Sequence, residues 1–164
     1  MRIVVADTGP LNYLLLIGAI DLLPKLFGTV LVPETVRAEL CHPGASALVR
    51  IWADQPPAWI EVLAESAFAV TDSALRPLDD GEAAAIALAR QVGADLILMD
   101  DRAGVVIAMQ QGFEVTGTLG VLDRAARRGL IDLATAFTRL KATNFRCRPE
   151  IMDALLAQHM RRET

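Results

Sequence analysis

Lysine is almost missing from this chain: Lys25 and Lys141 are the only two, so nearly all of its positive charge is guanidinium. Aromatic residues are scarce too, at 5% against a hydrophobic fraction of 53%. An aliphatic, alanine-rich core argues against an aromatic-rich all-β fold and suits helices packed on a parallel sheet. No apolar run approaches the roughly 20 residues that span a bilayer. The N-terminus enters an apolar strand at once, without a basic region, an apolar segment and a cleavage site. No signal peptide is therefore expected, and the chain is expected to be cytoplasmic. Cys41 and Cys147 lie far apart and match no paired metal spacing, so both are expected to be free, buried thiols. His42 beside Cys41 does not complete a zinc set, because His159 is the only other histidine. Repeats, low-complexity tracts and long linkers are absent, and 164 residues fit a single domain over 1–164.

What is present is an uneven charge. The net charge is −4, yet residues 121 to 164 carry nine basic and five acidic residues, a local +4 that leaves −8 on the other 120. Arginine binds phosphate bidentately, so a nucleic-acid partner would suit this asymmetry. A solvated helical surface in an arginine-for-lysine composition explains it equally.

The order of apolar runs and turn signals predicts alternating strands and helices. Residues 2 to 6 read as a buried strand, and Asp7-Thr8-Gly9-Pro10 turns into a helix that Gly18 stops. A short segment at 21 to 26 precedes a second strand at 29 to 32, and Pro33-Glu34-Thr35 opens the next helix. A helix at 44 to 53 is followed by the Pro56-Pro57 break and a strand at 59 to 63. Residues 64 to 78 read as irregular. An alanine-rich helix then starts at Asp79 or Asp80 and ends at Gly93. A strand at 95 to 99, a helix at 102 to 111 and a last strand at 113 to 115 come next, then helices near 118–129, 132–142 and 148–161. This alternation predicts a three-layer α/β/α sandwich around a mainly parallel central sheet.

Five acids stand where such a fold gathers functional groups: Asp7, Glu39, Glu82, Asp100 and Asp101. Two short apolar strands each end in aspartate, and ligands collect at strand carboxyl ends. Carboxylates crowded into one crevice repel each other unless a cation neutralises them, and hard oxygen donors suit Mg²⁺ or Mn²⁺. Each acid also has an ordinary explanation. Asp7 is well placed to cap the helix after it. Glu39, three residues after Val36, fits the edge of a solvated helix face. Glu82 suits the positive end of a helix dipole. Either Asp100 or Asp101 could cap the helix at Arg102, and Arg102 could neutralise the pair.

In this order, Asp7-Thr8, Val32-Pro33 with Glu39, the run Leu78-Asp79-Asp80-Gly81-Glu82-Ala83-Ala84-Ala85-Ile86, and Leu98-Met99-Asp100-Asp101 resemble the PIN-domain superfamily. More narrowly, the chain resembles a PIN-like group known only as a domain of unknown function, and Gly117-Thr118-Leu119-Gly120-Val121-Leu122 matches a segment typical of it. The resemblance covers nearly the whole chain. Its nearest well-described relatives are VapC-type toxins, Mg²⁺- or Mn²⁺-dependent ribonucleases that are typically dimeric and inhibited by a cognate antitoxin. The resemblance therefore implies a metal-dependent endoribonuclease, with RNA as substrate, an antitoxin as partner and a homodimer as assembly. It implies metal-binding and catalytic roles for Asp7, Glu39, Glu82 and Asp100 or Asp101. Thr8 would be a supporting hydroxyl, with Thr118 and Arg102 as further supporting or substrate-contacting residues.

Three features depart from the toxin pattern. Glu82 stands near a helix start where the toxins commonly carry Asp within the helix. Met99 replaces a common Thr before the last Asp. Gly104-Val105-Val106 replaces basic residues. The first departure is conservative for metal binding. The other two bear on substrate positioning, and the missing basic residues favour the alternative of a catalytically inactive PIN-like module that binds protein or nucleic acid. A haloacid-dehalogenase-type phosphatase would need a second Asp where Gly9 stands, and a receiver domain would need a late lysine that Lys141 does not convincingly supply.

Overall fold

The computed structural model describes residues 2–64 and 70–163. Five strands, β1 (Val4–Ala6), β2 (Val30–Pro33), β3 (Ile60–Leu63), β4 (Leu96–Leu98) and β5 (Val115–Thr116), form one sheet in the order β3-β2-β1-β4-β5. Every pairing is parallel. Parallel strands need crossovers, and helices supply them. These are α1 (Thr8–Leu16), α2 (Leu22–Phe27), α3 (Glu34–Leu40), α4 (Ala47–Asp54), α5 (Asp80–Val92), α6 (Arg102–Gln110), α7 (Thr118–Arg127), α8 (Leu133–Lys141) and α9 (Pro149–Glu163). The architecture is the three-layer α/β/α sandwich, with an all-parallel sheet. Among the described residues, no helix is long and apolar enough to cross a membrane.

Side chains alternate across the sheet, so each strand feeds two cores. Val4, Ala6, Leu96 and Leu98 pack on one face with Leu11, Leu14, Leu122 and Phe137. Val5, Ile97 and Met99 pack on the other with the alanine-rich side of α5. The small side chains of Ala84, Ala85 and Ala89 seat α5 directly on the strands, and all three are buried.

Several boundaries differ from the sequence reading, for local reasons. The segment at 21 to 26 is a true helix, with Pro24 in its first turn. The helix expected from 44 begins at Ala47, where Ser46 caps it by accepting from the Val49 N–H at 3.3 Å. Residues 42 to 45 are instead used in a turn, in which the Ala45 N–H donates to the His42 carbonyl at 2.9 Å. The last strand begins at Val115 rather than Phe113, because the Phe113 N–H is taken by the Ala108 carbonyl at the end of α6 (3.1 Å). Gly112 turns the chain there with φ +91°. Within the stretch read as irregular, Ser73–Leu75 forms one 3₁₀ turn, and residues 65 to 69 lie outside the described residues. Both cysteines are free but half-buried rather than buried.

The strand order fixes where chemistry would sit. The chain steps from β1 to β2 on one side, while β4 adds on the other side of β1. Crevices open at the carboxyl ends of strands where the order reverses in this way. Asp7 follows β1 directly, and Asp100 follows β4 after Met99.

Candidate active site

Asp7 continues the ladder: its N–H donates to the Leu98 carbonyl at 2.8 Å. Its side chain is 5% exposed, and Oδ1 has no hydrogen-bond partner. Although Asp7 occupies the N-cap position of α1, its side chain makes no capping bond, so the capping explanation of this residue does not hold. Burial pushes its carboxyl up from 3.8 to about 7, against the pull of the Thr8 N–H, and the charges of Asp79, Glu39 and Asp100 push it further. Holding this group ionised at neutral pH without a cation costs up to ~4 kcal/mol.

Glu39 comes from the second turn of α3, and its Oε2 accepts a hydrogen bond from the Thr8 hydroxyl. The start of α5 presses against this carboxylate. A Cβ on Gly81 would stand 2.5 Å from both Glu39 oxygens, so any larger residue there would push the Glu39 carboxylate out of its present place. One residue on, Glu82 is 8% exposed. It belongs to a capping box: Asp79 Oδ1 accepts from the Glu82 N–H at 2.8 Å, and Glu82 Oε2 accepts weakly from the Asp79 N–H at 3.4 Å. Burial raises the Glu82 carboxyl well above its ordinary range, and the neighbouring Asp79, Asp101 and Asp7 add to the effect.

Asp100 and Asp101 divide their roles. Asp100 turns inward and is fastened by Thr118, whose N–H and hydroxyl donate to it at 2.7 and 2.6 Å. Gly117 makes this approach possible, since a Cβ there would lie 2.5 Å from Asp100 Oδ1. Burial raises the Asp100 carboxyl and the two Thr118 bonds oppose it. Asp101 is exposed at the N-cap of α6, where its side chain caps nothing.

The five acids, Thr8 and Gly9 line one crevice of about 510 Å³. Asp79, Tyr13 and the segment Asn144–Arg146 complete its wall. Sequence reasoning treated Asp79 only as a cap, and its position one turn before Glu82 was the available signal. Tyr13, Asn144 and Phe145 carried no signal at all. Thr118 stands behind Asp100, fully buried, instead of lining the crevice. Arg102 does not neutralise the acidic pair. It is exposed and lines a different cavity with Arg148 and Glu150.

Two of the toxin-pattern departures pack against each other. A Cβ on Gly104 would meet Met99 Sδ at 2.5 Å and Glu82 Cγ at 3.6 Å. Met99 is 1% exposed, so Gly104 is the space that lets this long side chain fill the core behind Glu82.

The donor chemistry fits a hard divalent cation: buried oxygen ligands, raised carboxyl pKa values and an unpartnered Asp7 oxygen inside the crevice. Yet Glu39 and Glu82 are turned towards Thr8 and the Asp79 backbone, and no three Asp, Glu, His or Cys side chains among the described residues stand ready to hold an ion.

Residues 3–161 match the model of the family described as PIN domain, and the chain belongs to that family, whose members are generally nucleases. No curated protein and no solved structure matches the chain.

Proposed function

We propose that this PIN-domain chain is a divalent-metal-dependent endoribonuclease, the toxin of a toxin–antitoxin pair. The observation that carries the nuclease reading is Asp7, a nearly buried carboxylate with one unpartnered oxygen at the strand-order reversal, facing the acids of α3, α5 and the end of β4. Asp7, Glu39, Glu82, Asp100 and Asp101 would hold one or two Mg²⁺ or Mn²⁺ ions. When bound, such an ion lowers the pKa of water and stabilises charge on a phosphodiester. Thr8 orients Glu39, and Thr118 holds Asp100 with its charge directed inward. With most of the crevice acids buried or half-buried, ionisation of this set and uptake of a cation are coupled. RNA as substrate, the antitoxin and a homodimer rest on the likeness to VapC-type toxins.

The unready geometry of Glu39 and Glu82 favours a second reading, a catalytically silent module that binds protein or nucleic acid. One experiment separates the two. Wild type and Asp7→Asn are incubated with a mixed RNA panel in Mg²⁺, Mn²⁺ or EDTA, and Mn²⁺ binding is followed by calorimetry. Metal-dependent cleavage lost in Asp7→Asn is the expected result. Cleavage that survives both EDTA and the substitution overturns the metal site, and absence of both cleavage and Mn²⁺ binding establishes the silent module.

A further inference from the structure

Six carboxylates line the crevice, counting Asp79, and the one cationic side chain among the described lining residues is Arg146. A polyanionic strand approaching such a ring is repelled unless a fixed cation outside the carboxylates takes hold of its backbone. Arg146 is free to do so. It is exposed, and among the described residues it forms no ion pair.

The chain also spends contacts on fixing this residue's segment against the crevice. The Tyr13 hydroxyl on α1 donates to Asn144 Oδ1 at 3.0 Å, across 131 residues of sequence. The Tyr13 ring meets the Phe145 ring edge-on, with centroids 4.9 Å apart and planes at 78°. The Phe145 N–H donates to the Thr143 hydroxyl at 3.1 Å, which in turn donates to the Leu140 carbonyl at 2.6 Å at the end of α8. The loop is thus pinned from α1 and from α8. Burial pushes the Tyr13 hydroxyl pKa up, and of the two opposite charges beside it Asp100 raises it further while Arg146 pulls it back.

We infer that Asn144–Arg146, clasped by Tyr13, is a phosphate-binding wall of the crevice, in which Arg146 grips a backbone phosphate of single-stranded RNA beside the one to be cut. The inference rests on the ribonuclease reading above. A guanidinium supplies two parallel donors to one phosphate, and the exposed parts of Tyr13 and Phe145 give the adjoining base an aromatic surface. Tyr13 and Asn144 are positioning residues, since they act through the place of Arg146.

The test is binding of fluorescein-labelled single-stranded RNA across a salt series, in Ca²⁺ and with strand integrity checked on a gel. Arg146→Ala weakens binding about 5-fold near 0.1 M salt and lowers the salt slope by about 0.7, the share of one phosphate contact on a single strand. Arg146→Lys recovers the slope but only part of the affinity. Tyr13→Phe keeps the ring pair and loses only the bond to Asn144. It weakens binding less than Arg146→Ala does, and it adds no further loss when combined with Arg146→Ala. Arg50→Ala on α4 serves as the exposed control and leaves affinity and slope unchanged. Mn²⁺ binding by calorimetry is retained in Arg146→Ala. Wild-type RNA binding that Arg146→Ala leaves intact, in both affinity and slope, overturns this inference alone. A wild type that binds no RNA overturns the ribonuclease reading and this wall with it.

Discussion

Asp7→Asn is expected to make the metal-free protein more stable while removing its proposed function. The change is nearly isosteric and replaces a carboxyl whose pKa is pushed up from 3.8 to about 7. A raised carboxyl pKa means that the native state holds its proton more tightly than the unfolded chain does. Between about pH 4 and pH 7 the unfolded state therefore binds fewer protons, and wild-type stability falls as the pH rises through that window. The whole penalty is present above pH 7 and amounts to ~4 kcal/mol at most. Local rearrangement and water entry reduce this, so a gain of about 2–4 kcal/mol at pH 8 is expected for the asparagine. For a chain of this length that raises Tm by about 4–16 °C. The assay is differential scanning calorimetry in EDTA at pH 4, 6 and 8, repeated at pH 8 with saturating Mn²⁺. The gain should shrink towards zero at pH 4. With Mn²⁺ it should shrink again, because an ion bound to native wild type offsets the charge there and has less to gain from Asn. If Asp7→Asn melts at or below wild type in EDTA at pH 8, or if the difference is the same at every pH, the burial argument for this site is wrong.

Two further predictions concern the supports of the crevice. Thr118→Val removes the hydroxyl that donates to Asp100 at 2.6 Å and leaves the backbone bond in place. It should cost about 1–2 kcal/mol by urea denaturation, and nuclear magnetic resonance should report an Asp100 pKa higher than in wild type. Gly104→Ala forces a methyl group against Met99 Sδ and should cost about 1–3 kcal/mol. In a Met99→Thr background, where the long side chain is gone, the same change should cost markedly less. Equal costs in the two backgrounds, measured as a double-mutant cycle, would show that the two residues do not share one space.

The sandwich was legible in the sequence because its signals are local. Apolar runs of strand length, Gly18, Gly93 and Gly112 at helix ends, and Pro33 at a helix start each act within a few residues. Boundary errors arose where two local demands competed for one backbone group, as at Phe113, whose N–H closes α6 before it can enter the sheet. The crevice acids were legible only in part. Asp7 and Asp100 follow from strand ends, whereas Glu39 and Glu82 were no different from surface helix residues until their order suggested a family. The capping explanation of Asp7, which the sequence left open beside metal binding, does not hold, because capping depends on where the carboxylate points and not on its place before a helix.

By itself the sequence determined which segments are strands and helices, that two strands end in aspartate, and that positive charge gathers towards the C-terminal end. Periodicity and turn chemistry act between near neighbours, so one chain suffices to read them. Tertiary structure alone decided that Asp100 rather than Asp101 turns inward onto Thr118, that Gly104 makes room for Met99, and that Tyr13 clasps Asn144 beside the acids. Each of these depends on atoms brought within a few ångströms by packing. Pairwise contact of that kind leaves no periodic trace in the residues that make it.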